Sequence, residues 1–236
     1  MTTVAGLTAE EIAPTYMADS RTTSDGRPWL VMGMISSLDG SAVVAGGSTA
    51  LGGPPDRQVF RALRAVSDVI VVGAGTVRSE GYRAPKLADW MQEWRQARGM
   101  TEAPRIAIVT ESMRIEPTDS LAASRPLVFT SERAAARASD VGDWAEVVPV
   151  GSSAVDPATM LASLQDRKMN VVLTEGGPRL NGALARHVHE VCMTISPLLA
   201  GGDGLRIVDG PAVERPATLD RIVHSEGFVL LRYLFT

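Results

Sequence analysis

The stretch that decides the fold class is LTEGGPRLNGAL (residues 173–184), in which a glycine pair separates two kinds of apolar pattern. Residues 170–174, at its start, form a short apolar run that is typical of a buried strand. Beyond the glycines, apolar residues recur at helical spacing, and Pro178 suits the first position of a helix. The turn between them directs unpaired amides towards a potential phosphate. A plain turn explains the pair equally well, so this stretch alone leaves both interpretations open.

The alternation of strand and helix continues in both directions along the chain. Apolar runs predict further strands at residues 29–36, 68–73, 104–110, 126–130, 146–150, 190–196 and 227–236. Apolar residues at helical spacing predict helices at 56–66, 87–98 and 157–167, and we expect Asp56 to cap the first of them. This order predicts a three-layer α/β/α fold with a mostly parallel central sheet. The last two strands have no clear helix between them, which predicts an antiparallel C-terminal edge.

Size and composition fit a single large α/β domain. Of the 236 residues, 45% are hydrophobic and 21% are charged, so the chain can bury a substantial core. Residues 1–27 are small and polar, and we interpret them as a loosely attached N-terminal arm before a domain at residues 28–236. This first segment has no basic region followed by an apolar run, so it does not resemble a signal peptide.

Charge and cysteine content restrict the possible partners. The chain has 23 basic and 27 acidic residues, so its net charge is negative. A nucleic-acid or membrane-surface partner is therefore not expected. No apolar run is long enough to span a bilayer. Cys192 is the only cysteine, which excludes an intrachain disulfide and a CxxC pair. We therefore expect a cytoplasmic protein.

Several kinds of catalytic site are absent from the sequence. No GxGxxG follows a predicted strand, and neither GxxxxGK[ST] nor GxSxG occurs. His187 and His189 are two residues apart, a spacing that does not suit a shared metal on one helix face, and no metal is expected. What remains is a set of small and polar turns after the strands, which the carboxyl edge of a parallel sheet would bring together. Such a cleft suits a cofactor that carries the chemistry itself.

Four motifs, taken in order, resemble one known family. They are ISSLDG (35–40), LRAVSDVIVVGAGTV (63–77), LTEGGPRLNGAL (173–184) and ISPLLAGG (195–202). Together they resemble the riboflavin-biosynthesis pyrimidine reductases, which share the dihydrofolate-reductase-like fold. In many bacteria that reductase is fused to a zinc deaminase, whose signature is absent here. The resemblance therefore implies the reductase alone.

The resemblance implies the reaction and the partners. Family members reduce 5-amino-6-(5-phosphoribosylamino)uracil to its ribitylamino form by transferring hydride from NADPH to C1′. The protein then has to align two molecules and neutralise the phosphate of a small phosphorylated heterocycle. A homodimer is also implied.

The resemblance also implies site residues. Glu80 and Glu175 are the expected catalytic carboxylates. The expected substrate contacts are Ser48, Arg57, Arg64 and Glu175, with Arg61 as an alternative arginine for the phosphate. The expected cofactor contacts are Ile35, Ala50, Gly75, Thr76, Glu80, Thr110, Ser112, Gly176, Gly177, Pro178, Arg179 and Leu180. We interpret Asp39 as a turn former.

Departures from the family pattern leave other functions open. Gly33 stands where many members have lysine, Glu80-Gly81-Tyr82 replaces the usual Asp-Asp-Pro, and Leu87 stands where an arginine is common. Because basic groups are lost, a related reductase acting on a pteridine or a flavin-like molecule is an alternative. A non-catalytic nucleotide-binding homologue is another. Glu111 would repel a 2′-phosphate, so NADH competes with NADPH as the cofactor.

Overall fold

A single mixed sheet of ten strands forms the centre of the molecule. The computed structural model describes residues 3–24, 26–136 and 141–235. The strands run in the order β1-β9-β10-β8-β2-β7-β3-β4-β5-β6. Their bounds are β1 (Thr3–Gly6), β2 (Trp29–Ser36), β3 (Val69–Gly73), β4 (Arg105–Val109), β5 (Leu127–Thr130), β6 (Glu146–Pro149), β7 (Val171–Thr174), β8 (Glu190–Ile195), β9 (Thr218–Ser225) and β10 (Phe228–Leu234).

Helices cover both faces of this sheet. They are α1 (Ala9–Met17), α2 (Pro54–Val66), α3 (Ala74–Ser79), α4 (Asp89–Gln96), α5 (Asp119–Ala123), α6 (Glu132–Ala135), α7 (Pro157–Asp166) and α8 (Pro178–Leu184). In the described residues, short 3-10 turns occur at Thr49–Leu51 and Gly142–Trp144. Buried side chains of α1 to α6 pack on one face, and those of α7 and α8 pack on the other.

The central strands are buried on both faces, which explains their continuous apolar sequences. In β2, Val31 and Ile35 contribute to one core, while Leu30, Met32 and Met34 contribute to the other. Successive side chains of a strand point to opposite faces, so a strand covered on both sides must be apolar throughout. The predicted three-layer α/β/α fold with a mostly parallel sheet is confirmed.

The C-terminal strand is antiparallel, as predicted, but it does not form the edge of the sheet. β10 lies between β8 and β9 and runs antiparallel to both, and β1 then pairs in parallel with β9. The apolar-run criterion overlooked β9, whose sequence TLDRIVHS is half polar. That composition is possible because most of β9 is only half-buried or exposed.

The N-terminal segment is part of the domain, so the prediction of a loosely attached arm is wrong. β1 adds a strand to the sheet, and α1 buries Ile12 and Tyr16 completely against the core. Thr8 begins α1 with a capping box, in which its amide donates to the Glu11 carboxylate (2.9 Å). This Thr-x-x-Glu pattern was visible in the sequence. It was overlooked because the helix has only nine residues, of which few are strongly apolar.

The prediction that Asp56 caps α2 is also wrong. The cap position is Gly53, and Pro54 and Pro55 occupy the first two helical positions. Asp56 is buried in the first turn, and burial, opposed by a hydrogen bond from Thr194, raises the pKa of its carboxyl to about 6. Its Oδ1 atom has no hydrogen-bond partner in the structure. Two prolines move the helix start upstream because their missing N–H groups cost nothing there.

A cluster of buried charges ties the N-terminal segment to the amino end of the sheet. We call it the basal ion cluster, and it consists of Asp19, Arg21, Glu190, Asp220, Arg221 and Arg232. Both Arg21 (2.8 Å) and Arg232 (2.9 Å) donate to Oε1 of Glu190, whose side chain is fully buried. These two bonds and the Arg221–Asp19 pair join residues 19–21 to β8, β9 and β10.

Candidate active site

Loops that are distant in sequence meet at the carboxyl edge of the parallel strands. The order β8-β2-β7-β3-β4-β5 places the turns after β2, β3, β4, β5 and β7 side by side. The Gly73 amide donates to the Gly176 carbonyl (2.7 Å), which joins the turn after β3 to the turn after β7. This edge gathers most of the predicted site residues.

The two glycine turns are in close contact. Gly176 has a φ of 86°, which favours glycine, and the Gly176–Gly177 peptide bond is cis. A Cβ atom at Gly177 would lie 2.9 Å from the Thr76 hydroxyl, so no side chain fits there without displacing that group. Backbone geometry and close packing thus require both glycines. Pro178 then begins α8, as the sequence predicted.

Ser48 and Glu80 form the first side-chain pair of the site. Glu80 follows α3, and its Oε1 atom accepts hydrogen bonds from the amide (3.1 Å) and the hydroxyl (3.3 Å) of Ser48. This contact brings the glycine-rich segment after β2 against the end of α3. A predicted substrate contact and a predicted catalytic carboxylate therefore lie together.

Arg64, Glu175 and Tyr82 form the second group, which we call the edge cluster. Arg64 donates from Nε to Oε1 of Glu175 (2.7 Å) and from Nη2 to Oε2 (2.8 Å). The Tyr82 hydroxyl donates to the same Oε2 atom (2.7 Å). Burial, together with the neighbouring Glu175 charge, raises the pKa of Tyr82 well above its usual range. The phenol therefore stays protonated and acts as a fixed donor.

The other two candidate arginines are exposed. Arg57 and Arg61 lie on α2 and are exposed, and no hydrogen bond or ion pair of either side chain is seen in the described part of the chain. Both remain near the site because α2 also carries Arg64. Of the three arginines on this helix, Arg64 is the one that the described structure fixes by an ion pair.

The turn after β4 contains two of the predicted cofactor residues. Thr110 is buried, and its hydroxyl accepts from the Met113 amide (3.1 Å), while Ser112 is exposed. Glu111 accepts from the Ser131 hydroxyl (2.8 Å) and from the Val155 amide (2.5 Å). Its carboxylate therefore bridges the loops that follow β5 and β6.

The remaining predicted cofactor residues differ in accessibility. Ile35 is largely buried under the site, and Leu180 is buried in α8. Ala50 and Gly75 are exposed, and the space around the missing Cβ of Gly75 is open. The Arg179 side chain is almost fully exposed and only 4.0 Å from Asp209 at its nearest approach.

Asp39 holds a second loop over this edge. It accepts from the Ser37 hydroxyl (2.5 Å) and from the amides of Ala200 (3.1 Å) and Gly201 (2.7 Å). These bonds, first among them the one from Ser37, lower the pKa of Asp39 to about 2. The interpretation of Asp39 as a structural residue agrees with these contacts, and its partners in the 196–202 segment could not be read from local sequence.

A comparison with known families identifies the chain. Residues 28–228 match the family described as the RibD C-terminal domain. The chain belongs to this family. The resemblance inferred from the four motifs is thereby confirmed.

Named relatives of the RibD C-terminal domain family are reductases. The chain is 28% identical to the 2,5-diamino-6-ribosylamino-4(3H)-pyrimidinone 5′-phosphate reductase of Methanothermobacter thermautotrophicus, with 86% of this chain and 94% of the relative aligned. It is 27% identical to the enzyme of the same name from Archaeoglobus fulgidus, covering 86% of this chain and 97% of that protein. It also aligns with the riboflavin biosynthesis protein RibD of Escherichia coli at 27% identity, over 92% of this chain and 60% of the relative.

Solved structures share the fold. A pyrimidine reductase-like protein from Corynebacterium diphtheriae superposes with a TM-score of 0.82 at 24% identity, covering 98% of this chain and 99% of that one. Dihydrofolate reductase from Enterococcus faecalis reaches a TM-score of 0.53 at 13% identity, over 88% of this chain and 96% of that one. The dihydrofolate-reductase-like architecture expected from the motifs is confirmed.

The structure explains two departures from the family pattern. At Gly33, a Cβ atom would lie 3.0 Å from a methyl of Leu63 and 3.2 Å from a methyl of Leu173, so a lysine cannot be accommodated without rearrangement. Tyr82 stands where the family usually has proline, and its hydroxyl completes the edge cluster. The sequence marked Tyr82 only as a departure. Its role was missed because the Glu175 partner is 93 residues away.

Within residues 3–24, 26–136 and 141–235, no group of three or more histidine, cysteine, aspartate or glutamate side chains could hold a metal ion. In the same residues, no helix has the length and apolar character that crossing a membrane requires.

Proposed function

We propose that the chain is an NADPH-dependent reductase of the riboflavin pathway. It reduces 5-amino-6-(5-phosphoribosylamino)uracil to the ribitylamino product by hydride transfer to C1′. The observation that carries this proposal is the Arg64–Glu175 pair beside the two glycine turns, at the edge where ligands of parallel sheets bind. The archaeal relatives, aligned over nearly their whole length, act on the closely related diamino-pyrimidinone phosphate according to their names.

The residues at the two turns fit a dinucleotide. The turn at residues 73–76 touches the turn at 176–178, and the position of Gly75 is open to solvent. Small residues there permit close approach of a pyrophosphate to backbone amides, and the Thr76 hydroxyl lies at the same contact. Bound NADPH would supply the hydride. The cofactor residues predicted from the family therefore stay our proposal for this cofactor.

The chain's own side chains then bind and orient the substrate. Arg64 offers a planar guanidinium for the substrate phosphate, and Glu175 orients that guanidinium. Glu80 and Ser48 form a second polar pair, whose carboxylate and hydroxyl would contact the sugar or the ring. These contacts act by alignment, which is the main contribution that a protein makes to hydride transfer.

The carboxylate of Glu111 bears on the choice between NADPH and NADH. Its two oxygens bridge Ser131 and Val155, directly after the turn at Thr110 where we expect a 2′-phosphate. Since those bonds hold the carboxylate in place, its charge would weaken binding of a 2′-phosphate without blocking it. We propose NADPH as the physiological cofactor on the basis of the family.

Thermal unfolding with each cofactor tests this proposal. At a hundred times its Kd, a ligand stabilises the folded state by about 2.7 kcal/mol, which shifts the transition measurably. We expect NADPH to shift the transition more than NADH. Glu111→Gln should strengthen NADPH binding about threefold, since a repulsion of less than about 1 kcal/mol is removed at an exposed site.

Glu102→Gln provides the matched control, because Glu102 is exposed near the amino end of β4, away from the carboxyl edge. It should leave both cofactor affinities unchanged. Stabilisation by NADH alone would contradict NADPH as the cofactor. Stabilisation by neither, combined with no oxidation of NADPH in the presence of either pyrimidine phosphate, would overturn the proposed reductase.

A pteridine or flavin-like substrate is the second candidate. The observation in its favour is that Tyr82 and the packed Gly33 position take the place of groups common in the family. A higher kcat/KM with a dihydropteridine than with either pyrimidine phosphate would favour this candidate. The non-catalytic alternative predicts NADPH binding without oxidation by any of these compounds.

A homodimer and a cytoplasmic location also remain proposals. Three leucines with exposed side chains lie on neighbouring loops: Leu38, Leu199 and Leu205. These loops are joined by hydrogen bonds from the Leu38 amide to the Leu198 carbonyl and from the Ala42 amide to the Leu205 carbonyl. An exposed apolar patch of this kind is typical of an interface between protein chains. The molecular mass in solution tests the dimer.

A further inference from the structure

Tyr82 is held rigidly at the carboxyl edge of the sheet. Its amide donates to the Val77 carbonyl (3.0 Å), and its carbonyl accepts from the Thr118 hydroxyl (2.9 Å). The residue is 8% exposed, and its side chain belongs to the core that includes α2. Its hydroxyl can therefore reach Glu175 in one defined position.

Glu175 has little capacity left for a ligand. Its two oxygens already receive three donors, two from Arg64 and one from Tyr82, and its side chain is only 5% exposed. A carboxylate has about four lone-pair positions, so one remains, on Oε1. Two-point recognition of a ring by Glu175 would require the edge cluster to open.

Arg64 is the accessible member of the same cluster. Its side chain is 30% exposed, and its Nε and Nη2 atoms are the ones that bond to Glu175. No hydrogen bond from Nη1 is seen within the part of the chain that the structure describes. A guanidinium has five N–H groups, and two of them bond to Glu175, so the other three are left for the adjacent Tyr82 hydroxyl and for a ligand.

We propose that Tyr82 is a positioning residue that acts through Glu175 on Arg64. Its hydroxyl fixes the carboxylate, the carboxylate fixes the guanidinium, and the outer N–H groups of Arg64 then face the phosphate of the substrate. The proposal rests on the proposed function for the identity of that phosphate. It assigns Glu175 an orienting role in place of direct recognition of the pyrimidine ring.

The physical basis is the flexibility of the two charged side chains. An arginine loses several rotatable bonds when it binds an anion, and prior fixation removes that cost from binding. With Arg64 alone as its partner, Glu175 could rotate together with the guanidinium. A third bond from a rigid phenol prevents this movement, and the phenol remains protonated because burial and the Glu175 charge raise its pKa.

Replacement of the hydroxyl tests the proposal. Tyr82→Phe should raise KM for 5-amino-6-(5-phosphoribosylamino)uracil about five- to tenfold, the order expected for one weakened charge-assisted contact, and leave kcat within about twofold. Tyr16→Phe is the matched control, because it removes a fully buried hydroxyl on α1 that has no hydrogen-bond partner among the residues that the structure describes. It should change neither constant.

A double-mutant cycle tests whether Tyr82 acts through Glu175. In a Glu175→Gln background the orienting carboxylate is already lost, so adding Tyr82→Phe should raise KM by less than about twofold more. A Tyr82→Phe effect of full size in that background would show a direct contact with the substrate and overturn the proposal. An unchanged KM in Tyr82→Phe alone would also overturn it.

Binding of ribose 5-phosphate in the presence of NADP⁺, measured by calorimetry, separates this proposal from the proposed function. We expect Tyr82→Phe to weaken its Kd about fivefold or more, and Tyr16→Phe to leave it unchanged. If neither pyrimidine is reduced but this difference persists, the proposed reaction fails and the role of Tyr82 stands. If the wild-type protein does not bind ribose 5-phosphate, or if Tyr82→Phe binds it equally well, the role of Tyr82 is wrong.

Discussion

The two ends of the parallel sheet use the same chemical groups in different surroundings. At the amino end, Arg21 and Arg232 enclose Glu190, which also accepts from the Trp29 indole (3.0 Å). At the carboxyl end, Arg64 and Tyr82 hold Glu175. Both carboxylates are deeply buried, but only the edge cluster contains an arginine with substantial exposure.

The difference lies in how completely the charges are matched. The basal ion cluster contains three arginines and three carboxylates, all of which pair with one another inside the protein. In the edge cluster, the Arg64 side chain is 30% exposed and keeps donors that do not bond to Glu175. A closed network serves to connect chain segments, whereas an open one can bind an anion. We therefore expect the same substitution to affect stability at one end and binding at the other.

The largest expected effect is that of Glu190→Gln. Removal of its charge leaves Arg21 and Arg232 buried without their counter-ion, and breaking a buried pair in this way costs about 3–5 kcal/mol. Denaturant unfolding, followed by circular dichroism, would measure the loss in the free energy of unfolding. A loss below about 1 kcal/mol would contradict a structural role for the basal ion cluster.

The pH dependence of stability provides a second check at the same residue. Burial raises the pKa of Glu190, but Arg21 and Arg232 outweigh burial and lower it to about 2, from an unfolded value near 4.5. A depressed pKa contributes stability above the unfolded value, and that stability is lost as pH falls from about 4.5 to 2. The acid sensitivity of wild type in this range should be reduced in Glu190→Gln.

Glu175→Gln should mainly affect catalysis. The amide cannot hold Arg64 by charge, so we expect kcat/KM to fall about 30- to 100-fold, equivalent to about 2–3 kcal/mol. The free energy of unfolding should fall by less than about 2 kcal/mol, because Arg64 is partly exposed and can be hydrated. Equal destabilisation by Glu175→Gln and Glu190→Gln would remove the distinction between the two ends.

The smallest expected effect concerns Asp56, a buried carboxyl for which the described structure shows no ion pair with an arginine. Burial raises its pKa from 3.8 to about 6, so its contribution to stability is present below about pH 3.8 and is lost as pH rises through 6. Asp56→Asn should therefore stabilise the protein by about 1–2 kcal/mol at pH 7.5 and by much less at pH 4. Thermal unfolding at both pH values measures this, and a gain that is independent of pH would contradict it.

Much of the fold was predictable because the central strands are apolar on both faces. β2 was found with its bounds at Trp29 and Ser36, and α7 was found within one residue. Elements at the periphery were missed, since β1, β9, α5 and α6 are short or half polar and depend on pairing with distant segments. Local sequence carries the signal of burial, and these elements are buried only in part.

The candidate site shows the same division. The glycine turns, Ser48, Glu80, Arg64 and Glu175 came from the family resemblance, which rests on four short motifs that are specific when taken in order. The role of Tyr82 was visible only in the structure. In the sequence this residue showed a departure from the family pattern but did not indicate which side chain it contacts. The edge cluster joins positions 64, 82 and 175, and no local pattern can show which of three nearby arginines reaches a given carboxylate.

The sequence by itself determined the layered α/β fold and the family, because both follow from local apolar patterns and short motifs. The tertiary structure alone decided the partners of each charged side chain. Crossover connections between parallel strands bring residues together that are more than a hundred positions apart, as in the Arg64–Glu175 pair. Those pairings determine that Glu190 is enclosed by buried arginines, whereas Glu175 holds an arginine that is partly exposed.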